Sequence, residues 1–194
     1  MSAKTATANG IPRLRKHYEE QIVPTLMKQF GVTNRMATPK LVKMVLNIGC
    51  GEAAHDAKVL EEAQKHLALI TGQRPLVTRS KKAISNFKIK EGDPVGCKVT
   101  LRRTRMYEFL ERLIVVALPR IRDFRGLPRH GFDPGGNYSF GIRDHAIFVE
   151  LNPDEIHYAL GMDIGFVTTA KTPEQARALL DGFGFPFERE REKG

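Results

Sequence analysis

Six positive charges stand close together in the stretch GQRPLVTRSKKAISNFKIKEG, residues 72–92, in which Glu91 is the one acid. They are Arg74, Arg79, Lys81, Lys82, Lys88 and Lys90. A folded protein has little internal use for so much unpaired charge, because a buried cation needs a partner. Lysine and arginine at this density neutralise phosphate groups, so the segment predicts contact with a polyanion.

A second stretch has the form of a dinucleotide-binding turn. GCGEAA, residues 49–54, matches G-x-G-x-x-[GA] between a predicted strand and a predicted helix. Against this, the strand before it carries Lys43 and Asn47, where a central parallel strand is apolar, and no acid follows the next strand to hold a ribose. Arg79 at that place suits a 2′-phosphate, which keeps an NADP-dependent oxidoreductase as the alternative function. The two glycines otherwise indicate a tight turn or a close approach to a phosphate.

Other catalytic and metal-binding patterns are missing from the sequence. The six histidines show no HExxH or paired metal spacing, and neither a G-x-S-x-G elbow nor a Walker A loop is found. Glu91 and Asp93 are too few for the carboxylate cluster of a nuclease and more naturally shape the turn before Pro94. Cys50 and Cys97 cannot make a disulfide framework or a four-ligand zinc site. We therefore expect no catalytic residues, no metal and no cofactor.

The charge of the whole chain is unevenly distributed. The net charge is +9, yet residues 73–129 carry 15 Lys/Arg against five Asp/Glu, and residues 130–194 carry six against eleven. This asymmetry favours nucleic acid over a membrane surface, because the basic segments form no amphipathic membrane helix. The longest apolar run, residues 113–118, is too short to span a bilayer, and the first ten residues lack the apolar stretch of a secretory signal. We expect a cytosolic protein with no membrane partner.

The elements that position these residues alternate between helix and strand. Helical spacing predicts helices over residues 13–30, 56–71 and 105–118 and from Thr172 onward. The second should end at Gly72, and its inner stripe is Leu60, Ala63, Leu67 and Ile70. The core-facing stripe of the third is Met106, Phe109, Leu110, Leu113, Ile114 and Ala117. Pro24 should break or kink the first, Thr104 should cap the third, and Thr172 with Gln175 should form a capping box. Strands are predicted at residues 40–49, 75–80, 95–103, 146–151 and 163–170, with an irregular stretch at 122–141.

These elements predict an α+β fold, with helices packed on one face of a mainly antiparallel sheet and the other face open for RNA. Residues 11–187 are expected to form a single RNA-binding domain. Residues 1–10 are expected to be a disordered N-terminal tail and residues 188–194 a charged C-terminal tail.

Alternation along two strands predicts which side chains face water. In the first strand Val42, Met44, Leu46 and Ile48 share one face, and Leu41, Lys43, Val45 and Asn47 share the other. In the third strand the corresponding sets are Val95, Cys97, Val99 and Leu101, and Gly96, Lys98, Thr100 and Arg102. We define the polar face as Lys43, Asn47, Lys98, Thr100 and Arg102. An ordinary solvated sheet surface explains alternation equally well, but the neighbouring basic segment favours RNA.

The chain carries, in order, the segments PKLVKMVLNIGCGEA, LITGQRPLVTRSKKAISNFKIKEGDPVGCKVTLR, RMYEFLERLIVVALPRIRDFRGL, FDPGGNYSFGI, MDIGFVTTAKTPEQARALL and GFPF. Together they resemble the family of bacterial L-five proteins of the large ribosomal subunit, the 5S-rRNA-binding proteins of the central protuberance. The resemblance runs from about Arg13 to Phe187, which is nearly the whole chain.

The resemblance implies specific partners and contacts. It implies 5S rRNA binding by Lys43, Asn47, Gln73, Thr100 and Arg102, to which alternation adds Lys98. The basic loop, which we define as residues 78–90, resembles the family's loop that reaches the tRNA in the peptidyl site, with Thr78, Arg79, Ser80, Lys81 and Lys82 as its first contacts. The stretch with Gly136, Asn137 and Tyr138 corresponds to a region that helps bridge to a head protein of the small subunit. Further implied partners are 23S rRNA and neighbouring proteins of the central protuberance, and the implied location is the 50S subunit in the cytoplasm.

Three positions depart from the family's pattern. Arg103 stands where a glycine is usual and adds a cation beside the polar face. Pro134 and Gly135 replace a Gly-Arg pair, which removes a cation and stiffens the loop, so the resemblance does not carry the finer bridge contacts over. Leu160 replaces an arginine, and the sequence offers no interpretation of that change. A general nucleic-acid chaperone without a preferred site is a further alternative.

Overall fold

Five strands form one antiparallel sheet in the order β2-β3-β1-β5-β4. The structure, a computed structural model, describes residues 11–51 and 57–188. The strands are β1 (Leu41–Gly49), β2 (Leu76–Arg79), β3 (Pro94–Leu101), β4 (Tyr138–Ile142) and β5 (Met162–Thr168). The predicted α+β class and antiparallel sheet are confirmed. The predicted tails lie outside the described residues, except for Glu188.

The helices are α1 (Arg13–His17), α2 (Val23–Phe30), α3 (Ala57–Thr71), α4 (Arg103–Arg112) and α5 (Pro173–Gly182). A π-helical turn, Tyr18–Ile22, joins α1 to α2 directly before Pro24. Because Pro24 has no N–H to donate to the carbonyl four residues earlier, the regular α-helical bonding is interrupted. The break predicted at Pro24 takes the form of this π turn. A second π turn, Leu113–Ala117, and a 3₁₀ turn, Leu118–Arg120, extend α4 through Pro119.

The chain forms two compact units, each with its own core. Among the described residues, the first unit comprises 11–44, 102–140 and 165–188, and the second comprises 45–51, 57–101 and 141–164. In the first unit, Tyr138 lies among the rings of Phe132, Phe140, Phe166, Phe185 and Phe187, with centroid separations from 4.6 to 6.4 Å. Its core also holds the stripe of α4 that helical spacing predicts, of which Ile114 alone is only half-buried.

The second unit is built on the packing of α3 against β3. The predicted inner stripe of α3, Leu60, Ala63, Leu67 and Ile70, is buried. The helix ends at the predicted stop, Gly72, which has φ 63° and so adopts the left-handed conformation that glycine accommodates at a helix end. Cys50 and Cys97 are free and buried, and burial raises the pKa of the Cys97 thiol to about 12.

Two predictions about local structure are wrong. The stretch 146–151 forms no strand, because Asp144 accepts a hydrogen bond from the Ala146 N–H and caps a 3₁₀ turn, His145–Ile147. The fourth strand is instead β4, of which all but Ile142 lies in the stretch predicted to be irregular, residues 122–141. Thr104 does not cap α4, which begins at Arg103, two residues earlier than predicted, with Arg102 as its N-cap and no side-chain cap.

Thr172 caps α5 as predicted, but the second bond of the predicted capping box goes to Lys171, the residue before the N-cap, and not to Thr172. The Thr172 hydroxyl accepts from the Gln175 N–H at 3.4 Å, and the Gln175 side chain accepts from the Lys171 N–H at 3.1 Å. Two donors at the start of the helix are thereby satisfied.

Candidate nucleic-acid interface

The inner half of β1 shows the predicted alternation. Met44, Leu46 and Ile48 are completely buried, whereas Lys43, Val45 and Asn47 are half-buried. The start of the strand departs from the pattern, since Leu41 is buried and Val42 is 40% exposed. The amide of Asn47 and the ammonium of Lys43 therefore belong to the set of side chains that the core leaves accessible.

Strand β3 alternates in the same way from Cys97 to Leu101, but Val95 and Gly96 at its start depart from the pattern, and Val95 is only half-buried. Cys97, Val99 and Leu101 are buried, while Lys98 is exposed and Thr100 is half-buried. Gly96 was expected among the exposed residues and is buried instead. A Cβ on Gly96 would lie 2.5 Å from the Ile48 carbonyl oxygen and 3.2 Å from Thr78 Oγ1, so only glycine allows the strands to approach this closely.

The strand pairings bring polar-face residues together within the second unit. The Cys50 N–H donates to the Val95 carbonyl at 3.0 Å, which sets an antiparallel register with Asn47 across from Lys98. On the other side of β3, Leu76 pairs with Lys98 and Thr78 with Gly96. Directly paired residues share a face, so Thr78 and Leu76 lie on the same side as Asn47 and Lys98. Leu76 is 63% exposed, which places an apolar side chain on this surface.

Gln73 reaches the polar face from the end of α3. Its Nε2 donates to the Thr100 carbonyl at 3.4 Å, and its backbone is held by the Thr71 hydroxyl. The amide is half-buried and has donor and acceptor capacity beyond this single bond. Of the predicted 5S rRNA contacts, Asn47, Gln73, Lys98 and Thr100 thus lie in the second unit.

Lys43 and Arg102 belong to the first unit. Arg102 is exposed at the start of α4, and Arg103 beside it is exposed with φ 53°. That φ value lies in the left-handed region that favours glycine, which gives a physical reason for the glycine usual at this position. Arg103 occupies a conformation that is costly for a side chain with a Cβ, and it adds a cation there.

The basic loop extends the β2–β3 hairpin, and backbone hydrogen bonds fix it at both its base and its tip. At its base, the Gly92 N–H donates to the Ser80 carbonyl at 3.0 Å, and Arg79 Nη1 donates to the Gly92 carbonyl at 2.9 Å. At its tip, Ile84 and Ile89 exchange backbone hydrogen bonds of 2.9 and 3.2 Å. The loop therefore presents its side chains from a defined backbone.

The lysines of the basic loop are exposed and unpaired. Lys81, Lys82, Lys88 and Lys90 point into solvent, and no ion pair involves them within residues 11–51 and 57–188. The Asp93 carboxylate accepts a hydrogen bond from the Lys90 backbone N–H at 2.7 Å. This bond leaves the Lys90 ammonium group without an acidic partner among the described residues. Four free ammonium groups on a fixed hairpin form a strong phosphate-binding surface.

Comparison with known proteins accounts for most of the chain. Residues 34–90 match the family described as ribosomal protein L5, and residues 94–187 match the model for the C-terminus of that ribosomal family. The large ribosomal subunit protein uL5 of Methylococcus capsulatus is 56% identical over 175 residues, which are 90% of this chain and 98% of that protein. The proteins of the same name from Caldanaerobacter subterraneus and Thermotoga maritima are 55% and 54% identical, over 90% and 91% of this chain and 98% and 96% of theirs.

The chain belongs to the ribosomal protein L5 family.

L5 family membership confirms the predicted class of function. The chain is a structural RNA-binding constituent of the large ribosomal subunit in the cytoplasm, and it is not an enzyme. The oxidoreductase alternative is therefore wrong. Its fingerprint follows β1, which lies at the centre of an antiparallel sheet, whereas a dinucleotide-binding turn follows a parallel strand.

Among the described residues, His, Cys, Asp and Glu form no group of three or more that could hold a metal ion. Within the same residues, no helix is both long and apolar enough to cross a bilayer.

The stretch with Gly136, Asn137 and Tyr138, for which a bridge contact is predicted, is held by hydrogen bonds within the first unit. Tyr138 is buried and donates from its hydroxyl to the Pro128 carbonyl at 2.9 Å. Gly136 has φ 75°, and its carbonyl accepts from Thr168 Oγ1 at 2.6 Å. Asn137 donates from Nδ2 to Asp133 at 2.8 Å and accepts from the Thr168 N–H at 3.1 Å. The hydrogen bonds that the Asn137 side chain and backbone N–H donate to Asp133 lower the pKa of its carboxyl. Asp133, Pro134 and Gly135 are the exposed part of the turn.

A buried histidine pair is the main polar feature that sequence patterns missed. His66 Nδ1 and His145 Nε2 are 2.8 Å apart, and His145 Nδ1 lies 3.1 Å from the Leu160 carbonyl. The Leu160 backbone nitrogen also lies 3.4 Å from His145 Nδ1, so this ring nitrogen faces both a donor and an acceptor, and a hydrogen bond joins the two rings in either tautomer of His145. Burial lowers the pKa of both imidazoles. Leu160 contributes through its backbone, which any residue at this position could do.

Proposed function

We propose that the polar face and Gln73 bind 5S rRNA, and that the basic loop contacts tRNA in the peptidyl site of the assembled ribosome. On the polar face, cations neutralise rRNA phosphates and release counterions, while Asn47, Gln73 and Thr100 fix the register by hydrogen bonds. The observation that carries the proposal lies in the second unit, where Asn47, Lys98 and Thr100 are accessible. The alternate residues beside them, Leu46, Ile48, Cys97, Val99 and Leu101, are buried.

Three features support an rRNA ligand on the polar face. The chain is a ribosomal protein by family, so RNA is the polyanion it meets. Asn47 and Lys98 lie across from each other, which puts an amide and a cation within one nucleotide's reach. Gln73 has one weak internal bond and keeps the rest of its amide free for a ligand. The same geometry allows further contact with 23S rRNA and with neighbouring proteins of the central protuberance.

The basic loop is assigned to the tRNA because its polar groups differ in kind from those of the polar face. The polar face mixes amides and hydroxyls with cations, which suits reading of a fixed rRNA site. The loop offers mainly ammonium groups on a closed hairpin, which suits a phosphate backbone that binds and leaves at each round. Thr78 and Ser80 lie at its base, where Ser80 Oγ donates to the Lys82 carbonyl at 2.6 Å.

The bridge to a small-subunit head protein is assigned to the turn that carries Gly136, Asn137 and Tyr138. Since the Tyr138 side chain is internal, the turn would touch its partner through the exposed Asp133, Pro134 and Gly135. Gly136 and Asn137 would then hold the turn in shape without contributing most of the contact.

A competition experiment tests the rRNA assignment. The full chain is bound to labelled 5S rRNA at physiological salt, and bulk tRNA is added at equal mass. We expect the 5S complex to survive, because a built site discriminates beyond charge neutralisation. Displacement by tRNA at equal mass would instead indicate a general nucleic-acid chaperone and would overturn the assignment.

Charge removal in the basic loop separates its role from that of the polar face. The double substitution Lys81→Gln/Lys82→Gln should leave 5S rRNA binding unchanged and should speed dissociation of tRNA from the peptidyl site of reconstituted ribosomes. The matched control is Lys28→Gln, which removes an exposed lysine of α2. Loss of 5S rRNA from the double variant in a pull-down would contradict the division of roles.

A further inference from the structure

Phe87 is an aromatic side chain left in water at the tip of the basic loop. It is 68% exposed, and its ring meets no other aromatic ring or cation among the described residues. The other phenylalanines for which burial is described are half-buried or buried. An exposed ring of this size contributes nothing to the core, so folding gives no reason for phenylalanine at this position.

The backbone holds Phe87 in a defined place. The residue ends a 3₁₀ turn, Ser85–Phe87, whose N–H groups at Phe87 and Lys88 donate to the Ile84 and Ser85 carbonyls at 3.2 and 3.0 Å. Lys88 follows with φ 53°, a left-handed conformation that closes the turn onto the Ile84–Ile89 bridge. A ring on a closed turn loses less conformational freedom on binding than a ring on a flexible loop.

The surroundings of the ring select the class of ligand. Four exposed lysines, Lys81, Lys82, Lys88 and Lys90, flank it in the same loop. Lysine is depleted at protein–protein interfaces, which argues against a protein partner. Cations beside an exposed aromatic ring are the features of a nucleic-acid surface on which a base stacks while its neighbouring phosphates are neutralised.

We propose that Phe87 stacks on an unpaired nucleobase of the tRNA that the basic loop contacts. The lysines hold the flanking phosphates, and the ring supplies a contact that does not depend on salt. This inference rests on the proposed tRNA contact of the loop and adds its chemistry: a base with an open face, exposed at a bend or loop of the tRNA.

Substitutions at Phe87 distinguish stacking from simple apolar contact. In reconstituted ribosomes, Phe87→Ala should speed dissociation of tRNA from the peptidyl site by about tenfold, within the range for loss of one base–aromatic stack. Phe87→Leu should behave like Phe87→Ala, and Phe87→Tyr should behave like wild type. Rescue by leucine, or a wild-type rate for Phe87→Ala, would overturn the proposal. The exposed position keeps these changes out of the core, and unchanged 5S rRNA binding by each variant checks that it folds.

The absence of tryptophan from the sequence provides a direct readout. Phe87→Trp introduces the one indole, and Val115→Trp places a control indole at a site of similar exposure, 65%, in α4's extension. In the complex of the full chain with 5S rRNA, added deacylated tRNA should quench the indole at 87 and leave the indole at 115 unchanged. Equal quenching at both positions, or quenching at 87 by 5S rRNA alone, would overturn the assignment to a tRNA base.

Comparison of the lysine and phenylalanine variants separates failure of this inference from failure of the proposed tRNA contact. If Lys81→Gln/Lys82→Gln speeds tRNA dissociation and Phe87→Ala does not, the loop contacts tRNA without stacking, and only the inference falls. If neither changes the rate, the proposed tRNA contact of the loop falls with it.

Discussion

Gly96 is the residue on which the closeness of the central strands depends. Its Cα lies where a side chain would meet the backbone of β1 and the hydroxyl of Thr78 on β2. Its φ is not in the left-handed region, so the requirement for glycine is one of space. Alternation correctly placed Gly96 on the same side of β3 as Lys98. It could not show that Gly96 is buried, because that burial depends on how closely β1 and β2 approach β3.

Gly96→Ala should lower the free energy of unfolding by about 2 kcal/mol, since overpacking against backbone cannot be relieved by a side-chain rotation. Urea denaturation measures the change. Gly49→Ala is the matched control, because a Cβ at Gly49 meets nothing within 4 Å. A loss for Gly49→Ala as large as that for Gly96→Ala would contradict the steric explanation.

At the scale of elements, the histidine pair joins α3 to the 3₁₀ turn after β4. His66 and His145 are buried as neutral rings, and the pKa of each is lowered, chiefly by burial. Below the ordinary histidine pKa of about 6.5, the unfolded chain takes up protons that the folded chain resists. The stability that this pair confers is therefore fully present above that pH and is lost as the pH falls toward the lowered values.

The free energy of unfolding should fall between pH 7 and pH 5, by up to about 1.4 kcal/mol per pH unit for each histidine. Urea titrations at each pH measure the slope. His145→Gln should flatten it even if that variant is less stable overall, whereas His130→Asn, which removes an exposed histidine, should keep the wild-type slope. A wild-type slope in His145→Gln would exclude the pair as its origin.

Elements were predictable where a single local pattern decides them. The stripe of α3, its Gly72 stop and the Thr172 cap each follow from nearby residues, and the structure has them. The region around β4 could not be predicted in this way. Residues 146–151 are more apolar than Tyr138–Ile142 and were therefore predicted as the strand, but the Asp144 cap overrides the strand propensity of residues 146–151. The burial pattern of β4, in which Tyr138, Phe140 and Ile142 are buried and Ser139 and Gly141 exposed, was nonetheless a readable alternation.

At the scale of the whole molecule, the distribution of charge and the pattern of burial both bear on RNA binding. Under the proposed function, the excess of cations in residues 73–129 supplies long-range attraction to RNA, and the polar groups that burial leaves accessible on β1 and β3 make the contacts. The sequence predicted the polar face because alternation is local. It could not predict that Tyr138 is internal or that Phe87 stands exposed, because both depend on how distant segments pack.

The affinity of the full chain for 5S rRNA as a function of salt tests the central claim most directly. Lys98→Gln should weaken binding and reduce the slope of log K against log salt by about one, because one phosphate contact is lost. Asn47→Ala should weaken binding by about 1–3 kcal/mol with the slope unchanged, because a hydrogen bond and not a charge is removed. Lys28→Gln on α2 is the charge control. Wild-type affinity and slope in both polar-face variants, or a slope change in Lys28→Gln equal to that in Lys98→Gln, would show that 5S rRNA does not bind this face.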